Sequence, residues 1–438
     1  MLFNSLDFAF FLPLVFSLYW LFYKSIKIQN IILVLASYYF YSCWDWRFLS
    51  LIVISTIVDY IVGLALSHEN SHKKRKALLW LSIIVNLGFL GFFKYYNFFI
   101  EQFIQSFSLF GVAIKGNSLN IILPVGISFY TFQTMSYTID VYRKKIKATN
   151  DFIAFGSFVS FFPQLVAGPI ERASNLLPQF YLKRRFSRAD GVAGMQQILW
   201  GLFKKVVIAD NCAEVANLVF NNSAEYSGSV LVLGALFFTF QIYGDFSGYS
   251  DIAIGTARLF GFRLMKNFSF PYFSRDIAEF WRRWHISLSS WFRDYVYIPL
   301  GGSRVSKRKN VRNVFIVFII SGLWHGANWT FIFWGLLNAV FFLPLLLTDN
   351  NRNHLEIVAK GRLFPSIKEL FSIVFTFLLT MLAWVFFRAE TLSHAWSYLK
   401  GIFSKSLFET PQFEGNIQSA ICIILLVFFI ALEWFGRE

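Results

Sequence analysis

Long apolar runs separated by short polar segments dominate the pattern along the chain of 438 residues. A helix needs about 20 mostly apolar residues to cross a bilayer. Runs of this kind place predicted spans at 6–23, 28–43, 48–66, 78–99, 120–140, 152–168, 192–220, 229–262, 313–346, 368–388 and 416–435. The runs 229–262 and 313–346 are too long for one upright crossing, so each forms either two crossings or a tilted or re-entrant helix. The pattern predicts an all-α polytopic membrane protein with about 10 to 12 transmembrane or re-entrant helices.

The composition excludes an ordinary soluble protein. Hydrophobic residues make up 56% of the chain and charged residues 15%, whereas soluble domains carry about 25% charge. No hydrophilic stretch is long enough for a separate globular domain, so residues 1–438 are predicted to form a single integral-membrane domain. The 56 Phe, 19 Tyr and 14 Trp residues exceed what lipid matching requires, and they indicate shaped cavities or interfacial belts of rings.

The net charge of +15 does not indicate nucleic acid, because the basic residues lie in short runs between apolar segments. This placement is typical of cytoplasmic loops under the positive-inside rule. It predicts cytoplasmic positions for the basic segments 24–27, 72–76, 143–147, 183–188 and 304–312. Alternation through the first five spans then places the N-terminus outside, and the loop 221–228, which has no cation, suits the outer face.

Neither metal nor nucleotide chemistry is indicated. The cysteines at 43, 212 and 422 are isolated and form no CxxC motif. The sequence also has no Walker loop, GxSxG elbow, HExxH motif or acidic cluster at metal-ligand spacing. We therefore predict no metal site and no permanently bound cofactor.

His325 is the first candidate for chemistry. It lies between Gly322 and Gly326 inside the apolar run 313–346, where an ionisable residue is costly and is by default a functional hypothesis. Imidazole takes and returns a proton near neutral pH, and burial would keep it in the neutral form that a general base needs. The two glycines would let a substrate or another helix approach closely. From the residues alone, a core histidine with one structural hydrogen bond explains this position equally well.

The segment 275–302 is too charged to cross a membrane. Its rings recur at helical spacing, while Arg282, Arg283 and Arg293 interrupt the apolar face. We expect a helix that lies along the interface or dips into the protein, with rings in the lipid boundary and guanidinium groups toward water. His285 stands at the edge of this face, where holding a headgroup or a carbonyl explains it as well as catalysis does.

Two acids lie inside another apolar run. We expect Asp245 and Asp251 to pair with Arg258, Arg263 or the arginines of 282–293, because buried charges are usually paired. A structural ion pair therefore explains them better than a substrate site does.

The segment 123–133 combines helix breakers with a polar group. Pro124 and Gly126 would interrupt a helix, and Gln133 adds an amide. The lining of a substrate tunnel and a plain kinked helix explain these residues equally well.

Several motifs together resemble the membrane-bound O-acyltransferase family. They are Glu279-Phe-Trp-Arg-Arg-Trp-His-Ile-Ser-Leu-Ser-Ser-Trp, Trp324-His-Gly-Ala-Asn-Trp, Leu123-Pro-Val-Gly-Ile-Ser-Phe-Tyr-Thr-Phe-Gln, Phe162-Pro-Gln-Leu-Val-Ala-Gly-Pro-Ile-Glu-Arg and Asp245-Phe-Ser-Gly-Tyr-Ser-Asp. The resemblance covers nearly the whole chain and is best to the polysaccharide O-acetylase branch, which includes alginate O-acetylation. The segment Ile298-Pro-Leu-Gly-Gly favours this branch over the related D-alanyl transfer proteins. Members of the branch usually continue for another span beyond the position of Glu438.

The resemblance implies a helical bundle around a central tunnel, with His325 as the catalytic histidine and His285 nearby as the second family histidine. A cytoplasmic thioester, acetyl-coenzyme A or an acyl carrier protein, would deliver an acyl group, and the family likeness favours acetyl. A hydroxyl of a polysaccharide or of an extracytoplasmic partner protein would receive it. Substrate contacts are expected from Asp245, Arg282, Arg293, Trp324, Asn328 and Gln133. The expected location is the bacterial inner membrane, with multiple crossings.

Three other functions stay open at this point. D-alanyl transfer to teichoic acid would use the same histidine motifs. A non-enzymatic transporter would use the buried acids as a relay and keep its transport when His325 is changed. A structural scaffold for a secretion complex would depend on no pocket residue.

Overall fold

The computed structural model describes residues 1–109, 119–166 and 168–438. Within these ranges every regular element is a helix and no strand occurs, so the prediction of an all-α protein is confirmed. The chain divides into two compact units, one of residues 1–199 with 251–265 and one of residues 200–250 with 266–438. That residues 1–438 act as a single domain stays a prediction.

The first unit contains the N-terminal helices. They are α1 (Leu6–Leu21), α2 (Ile26–Asp45), α3 (Leu49–His68), α4 (His72–Leu90), α5 (Tyr96–Leu109), α6 (Ile127–Tyr142), α7 (Phe152–Ser160), α8 (Phe162–Leu165), α9 (Ala173–Leu176) and most of α10 (Arg188–Leu202). A buried carboxylate, Asp59 on α3, accepts hydrogen bonds from Asn86 at 2.8 Å and Thr138 at 2.9 Å. Such internal partners are required where lipid offers none.

The second unit contains the candidate site. Its helices are α11 (Asp210–Asn221), the greater part of α12 (Gly228–Leu259), α13 (Ile277–Arg283), α14 (Ile286–Phe292), α15 (Lys307–His325), α16 (Trp329–Leu347), α17 (Ile367–Arg388), α18 (Leu392–Ile402) and α19 (Asn416–Phe435).

Apolar length marks the membrane-crossing helices. Among the described residues, six helical segments are long and apolar enough to cross a membrane: Ile26–His68, His72–Ser108, Gly228–Leu259, Trp329–Leu347, Ile367–Arg388 and Asn416–Phe435. Shorter apolar helices at Leu6–Leu21 and Phe152–Leu165 fall in the predicted spans 6–23 and 152–168. Ala167, inside the latter span, lies outside the described residues. The chain is therefore a multi-pass membrane protein.

The two apolar runs that are too long for one upright crossing form different structures. Residues 229–262 form essentially one helix, because α12 continues unbroken for 32 residues, a length of about 48 Å. Residues 313–346 instead divide into α15 and α16, with a break at 326–328. The predicted break before α6 is confirmed, since Gly126 has a left-handed φ of 76° and the helix begins at Ile127.

Close packing of α15 against α16 depends on glycine. A Cβ at Gly322 would collide with the carbonyl of Phe331, and a Cβ at Gly335 would collide with the carbonyl of Phe318. The two backbones therefore approach each other more closely than larger residues would allow. The expectation of a close helix approach at Gly322 is confirmed.

A buried ionic cluster anchors α13. Glu279, whose side chain is 1% exposed, pairs with Arg275 at 3.0 Å and with Arg283 at 2.8 Å. The carboxylate of Asp276 accepts the amide hydrogen of Glu279 at 2.6 Å and so caps the start of the helix. Burial alone would raise the pKa of Glu279, but hydrogen bonds from Arg275 and the charges of Arg283 and Arg275 outweigh it and hold the pKa below its ordinary 4.5.

Replacing Glu279 with Gln tests this cluster. The change removes the carboxylate from the largely buried guanidinium groups of Arg275 and Arg283, which are 10% and 15% exposed. Breaking a buried ion pair typically lowers the free energy of unfolding by about 3–5 kcal/mol, although Arg275 keeps a second pair with Glu369 at 3.7 Å. We expect a clear loss of stability on chemical denaturation in detergent. The matched control is Glu356→Gln, whose side chain is 75% exposed beside Lys360 and should change stability by about 1 kcal/mol or less.

The lowered pKa of Glu279 also predicts a pH dependence. A carboxyl with a depressed folded pKa contributes stability that is complete above the unfolded value of 4.5 and is lost as pH falls through the folded value. Below about pH 4.5, wild-type stability should therefore fall more steeply than that of the Gln variant. Parallel stability curves for the two proteins over this range would contradict the assignment.

Candidate active site

His325 lies at a helix break. It is the last residue of α15, and the next residue, Gly326, is extended with φ −165°. Asn328 then caps α16, because its side chain accepts the amide hydrogen of Thr330 at 3.0 Å. The half-buried imidazole therefore lies at a helix end, between α15 and α16.

His285 lies at a second break. α13 ends at Arg283, His285 has a left-handed φ of 44°, and α14 begins at Ile286. A non-glycine residue in this region is strained. Two backbone hydrogen bonds hold the turn, one from Ser269 N to Arg283 O at 2.9 Å and one from Ile286 N to Asn267 O at 2.8 Å.

The expectation of one interfacial helix over 275–302 is therefore wrong in part. The chain breaks at Trp284 and His285, and His285 is 1% exposed, so it does not lie at the lipid interface. The rings expected in the lipid boundary are instead buried in the protein at Phe280, Trp284 and Trp291. The segment dips into the protein because Arg275 and Arg283 are neutralised by Glu279 and Arg282 is hydrogen-bonded to backbone carbonyls there.

Aromatic rings enclose both histidines. The ring of Trp324 lies 6.0 Å from that of His285 and 4.9 Å from that of His325, between centroids. Phe246 packs edge-on against His285 at 4.5 Å. Trp334 and Phe387 each lie 5.2 Å from His325. The two imidazoles therefore share an aromatic wall.

Asn267 organises the polar side of His285. Its Oδ1 lies 3.1 Å from His285 Nδ1 and accepts from Ser287, whose N and Oγ are 3.2 Å and 2.9 Å away. Its Nδ2 donates to Ser250 Oγ on α12 at 2.9 Å. All four residues are buried, so this network is shielded from solvent.

Burial also sets the charge of His285. It lowers the pKa of this imidazole well below the ordinary 6.5, and the neighbouring His325 lowers it further. The ring is therefore neutral near physiological pH, which is the form that can accept a proton or a hydrogen bond.

The two aspartates of the motif on α12 have different partners. Asp245 pairs with Lys205 at 2.6 Å, and Asp251 accepts from Gln197 at 3.0 Å. The expectation that Asp245 pairs with an arginine is wrong, because its ion-pair partner is Lys205. Phe246 and Ser250, four residues apart and so on one helix face, are the residues of this motif that contact His285 and Asn267.

The other expected substrate residues have structural partners. Arg282 donates to the carbonyls of Asn351 and His354, and Arg293 forms an exposed pair with Asp294 at 2.8 Å. Asn328 caps α16 and donates to the carbonyl of Glu390.

Gln133 belongs to the first unit and donates to the carbonyl of Phe158. Of the expected set, Trp324 is the residue that contacts both histidines. Whether any of them touches substrate stays a prediction.

Sequence reasoning missed Asn267, Ser287 and Ser250. No spacing rule connects them, since Asn267 and His285 lie 18 positions apart in a stretch without regular periodicity. Phe246 could have been found, because it follows Asp245 in a motif already singled out. Among the described residues, no group of three or more His, Cys, Asp or Glu side chains converges as a metal site.

The sequence matches proteins of a known family. The family model of the membrane-bound O-acyltransferases matches residues 106–387. A probable alginate O-acetylase of Pseudomonas aeruginosa is 40% identical over 100% of this chain and 81% of its own length. A peptidoglycan O-acetyltransferase of Helicobacter pylori is 37% identical over 92% of this chain and 80% of its own length.

A teichoic acid D-alanyltransferase of Bacillus subtilis is 30% identical over 50% of this chain and 58% of its own length. The matched range 106–387 includes both candidate histidines and their aromatic wall. The chain belongs to the membrane-bound O-acyltransferase family and is an O-acyltransferase.

Proposed function

We propose that this chain transfers an acetyl group from a cytoplasmic thioester to a hydroxyl of an extracytoplasmic saccharide polymer, in the inner membrane of a bacterium. The observation that carries the proposal is the position of His325, which lies at the break between α15 and α16 and contacts the rings of Trp324, Trp334 and Phe387. A neutral imidazole at such a site is suited to act as a general base.

The reaction needs one proton acceptor and one electrophile. His325 takes the proton of the acceptor hydroxyl as its oxygen attacks the thioester carbonyl carbon. The carbon–sulfur bond then breaks, and the thiolate leaves with the proton that His325 returns. His285 contacts a substrate beside this centre, where it either polarises the thioester carbonyl or orients the acceptor.

Charge supports a cytoplasmic donor. The basic segments 72–76, 143–147 and 304–312 are predicted to face the cytoplasm and suit the phosphates of coenzyme A or of a carrier protein's phosphopantetheine. The aromatic wall around His325 suits an uncharged acetyl group rather than the charged donor as a whole.

The relatives support a saccharide acceptor. The relatives from Pseudomonas aeruginosa and Helicobacter pylori, each of which matches more than nine-tenths of this chain, are named for acetylation of alginate and of peptidoglycan. Both are saccharide polymers. The relative named for D-alanyl transfer to teichoic acid matches 50% of the chain, so this alternative has less support. An acyl-accepting serine on a partner protein could relay the group to the polymer.

Replacing His325 with Ala tests the proposed base. General-base loss typically lowers the rate by about 10²- to 10⁴-fold, so we expect transfer from acetyl-coenzyme A or acetyl-carrier protein to fall by at least 10²-fold while the protein still inserts and purifies. The control is His68→Ala, an exposed residue at the end of α3, which should keep wild-type turnover. Near-wild-type turnover of the His325 variant would exclude the role of His325 as the base.

Cysteine labelling tests the orientation. In a Cys43→Ser background, which removes the exposed native thiol, an impermeant thiol reagent added outside intact cells should reach Ala224→Cys and miss Arg308→Cys. Both positions are exposed. External labelling of position 308 would overturn the cytoplasmic assignment of segment 304–312 and of the donor.

A further inference from the structure

The orientation of the Asn267 amide follows from its hydrogen bond with the backbone of Ser287. The N–H of Ser287 can donate a hydrogen bond but cannot accept one, and it points to Asn267 Oδ1 at 3.2 Å. The amide nitrogen of Asn267 consequently faces Ser250 Oγ, 2.9 Å away, and donates to it. The atom that faces His285 is therefore the carbonyl oxygen, which only accepts hydrogen bonds.

This orientation determines which imidazole nitrogen carries hydrogen. Asn267 Oδ1 lies 3.1 Å from His285 Nδ1, and two lone pairs at this distance would repel each other. Nδ1 is therefore the protonated nitrogen and donates to Asn267. In a neutral imidazole one nitrogen donates and the other accepts, so Nε2 carries the lone pair.

The surroundings keep His285 neutral. His325 from α15 is the titratable group beside it, and its effect lowers the pKa of His285 in the same direction as burial. Among the described residues, the uncharged side chains of Phe246, Phe268, Trp324 and Ser287 also contact the ring.

We propose that Asn267 is a positioning residue that holds His285 in its Nδ1–H form, so that Nε2 accepts a hydrogen bond from a hydroxyl of the acceptor. In this form His285 has no hydrogen to offer to the thioester carbonyl. Of the two roles left open above, orienting the acceptor is therefore the one that the hydrogen bonds support. The inference rests on the proposed acyl transfer and deepens it.

The anchors of Asn267 explain how it can act as a positioning residue. Ser250 lies on the long helix α12, one turn from Phe246, which packs edge-on against the imidazole at 4.5 Å. The same helix face therefore supports the ring and the amide that orients it. The backbone of Asn267 also accepts from Ile286 N at 2.8 Å, next to the strained turn at His285.

Replacing Asn267 with Asp tests the proposal through the titration of the His285 ring. A carboxylate beside Nδ1 favours the imidazolium and raises the pKa of His285 by about 1 unit or more. The ¹⁵N signals of His285 should therefore titrate at a higher pH in Asn267→Asp than in wild type. An unchanged midpoint of this titration, in a variant that still folds, would overturn the positioning role.

Two further variants separate positioning from folding. Asn313→Asp is the matched control, because Asn313 is fully buried, accepts from Arg312 at 3.0 Å and lies about 18 Å from His325 along α15. It should leave the midpoint of the His285 titration unchanged. His285→Gln keeps an oxygen that can accept from a hydroxyl and should retain appreciable transfer, while His325→Gln should be inactive. Equal and complete loss in both Gln variants, with folding intact, would overturn the proposed division of roles.

A spectroscopic measurement tests the tautomer without any assay of transfer. The chain has six histidines, so ¹⁵N-histidine labelling with the spectrum of His285→Gln as a reference identifies the signals of His285. We expect Nδ1 to be protonated and Nε2 to be unprotonated in wild type, and a mixture of tautomers in Asn267→Leu. An Nε2–H tautomer in wild type would refute the inference even if transfer is active, whereas absence of transfer with the expected tautomer would refute only the proposed function.

Discussion

The lack of water inside a bilayer is the constraint on which this structure depends. Every amide and carbonyl that a helix break leaves unpaired must find a partner within the protein, because lipid supplies none. The breaks at His285 and His325 exist only because asparagines satisfy them. Asn328 accepts the first amide hydrogens of α16, and Asn267 accepts hydrogen bonds from the start of α14 through both its backbone and its side chain.

The lack of water also means that each buried charge needs a partner of opposite charge within the protein. Glu279 is tolerated at 1% exposure because two arginines surround it, and Asp245 is tolerated because Lys205 reaches it. These pairs hold α13 and α12 in place near the histidines. The imidazoles themselves lie against rings, so the ionised groups support the candidate site from outside.

Hydropathy predicted most of the helices because apolar length is a local property. The break at Pro124 and Gly126 was also a local signal, and its position was predicted correctly. The depth of His325 in the membrane stays a prediction. The burial of His285 was not predicted, because it depends on a left-handed residue and on pairing with a segment 18 positions earlier. The partner of Asp245 lies 40 positions away, and proximity in sequence favoured arginines instead. The cap formed by Asn328 had a local signature, an asparagine just before a new apolar helix, but its place in the family motif suggested a substrate role.

Arginine side chains bind the loop between α16 and α17 through its backbone carbonyls. Arg282 binds the carbonyls of Asn351 and His354, Arg275 and Arg283 bind the carbonyl of Glu356, and Arg437 binds carbonyls at 358, 359 and 362. Every residue type offers the same carbonyl, so these arginines recognise the path of the chain and not its sequence. Evolution can therefore rewrite the side chains of this loop, for example to suit a new partner or cell-envelope layer, without loosening the helix that presents His285.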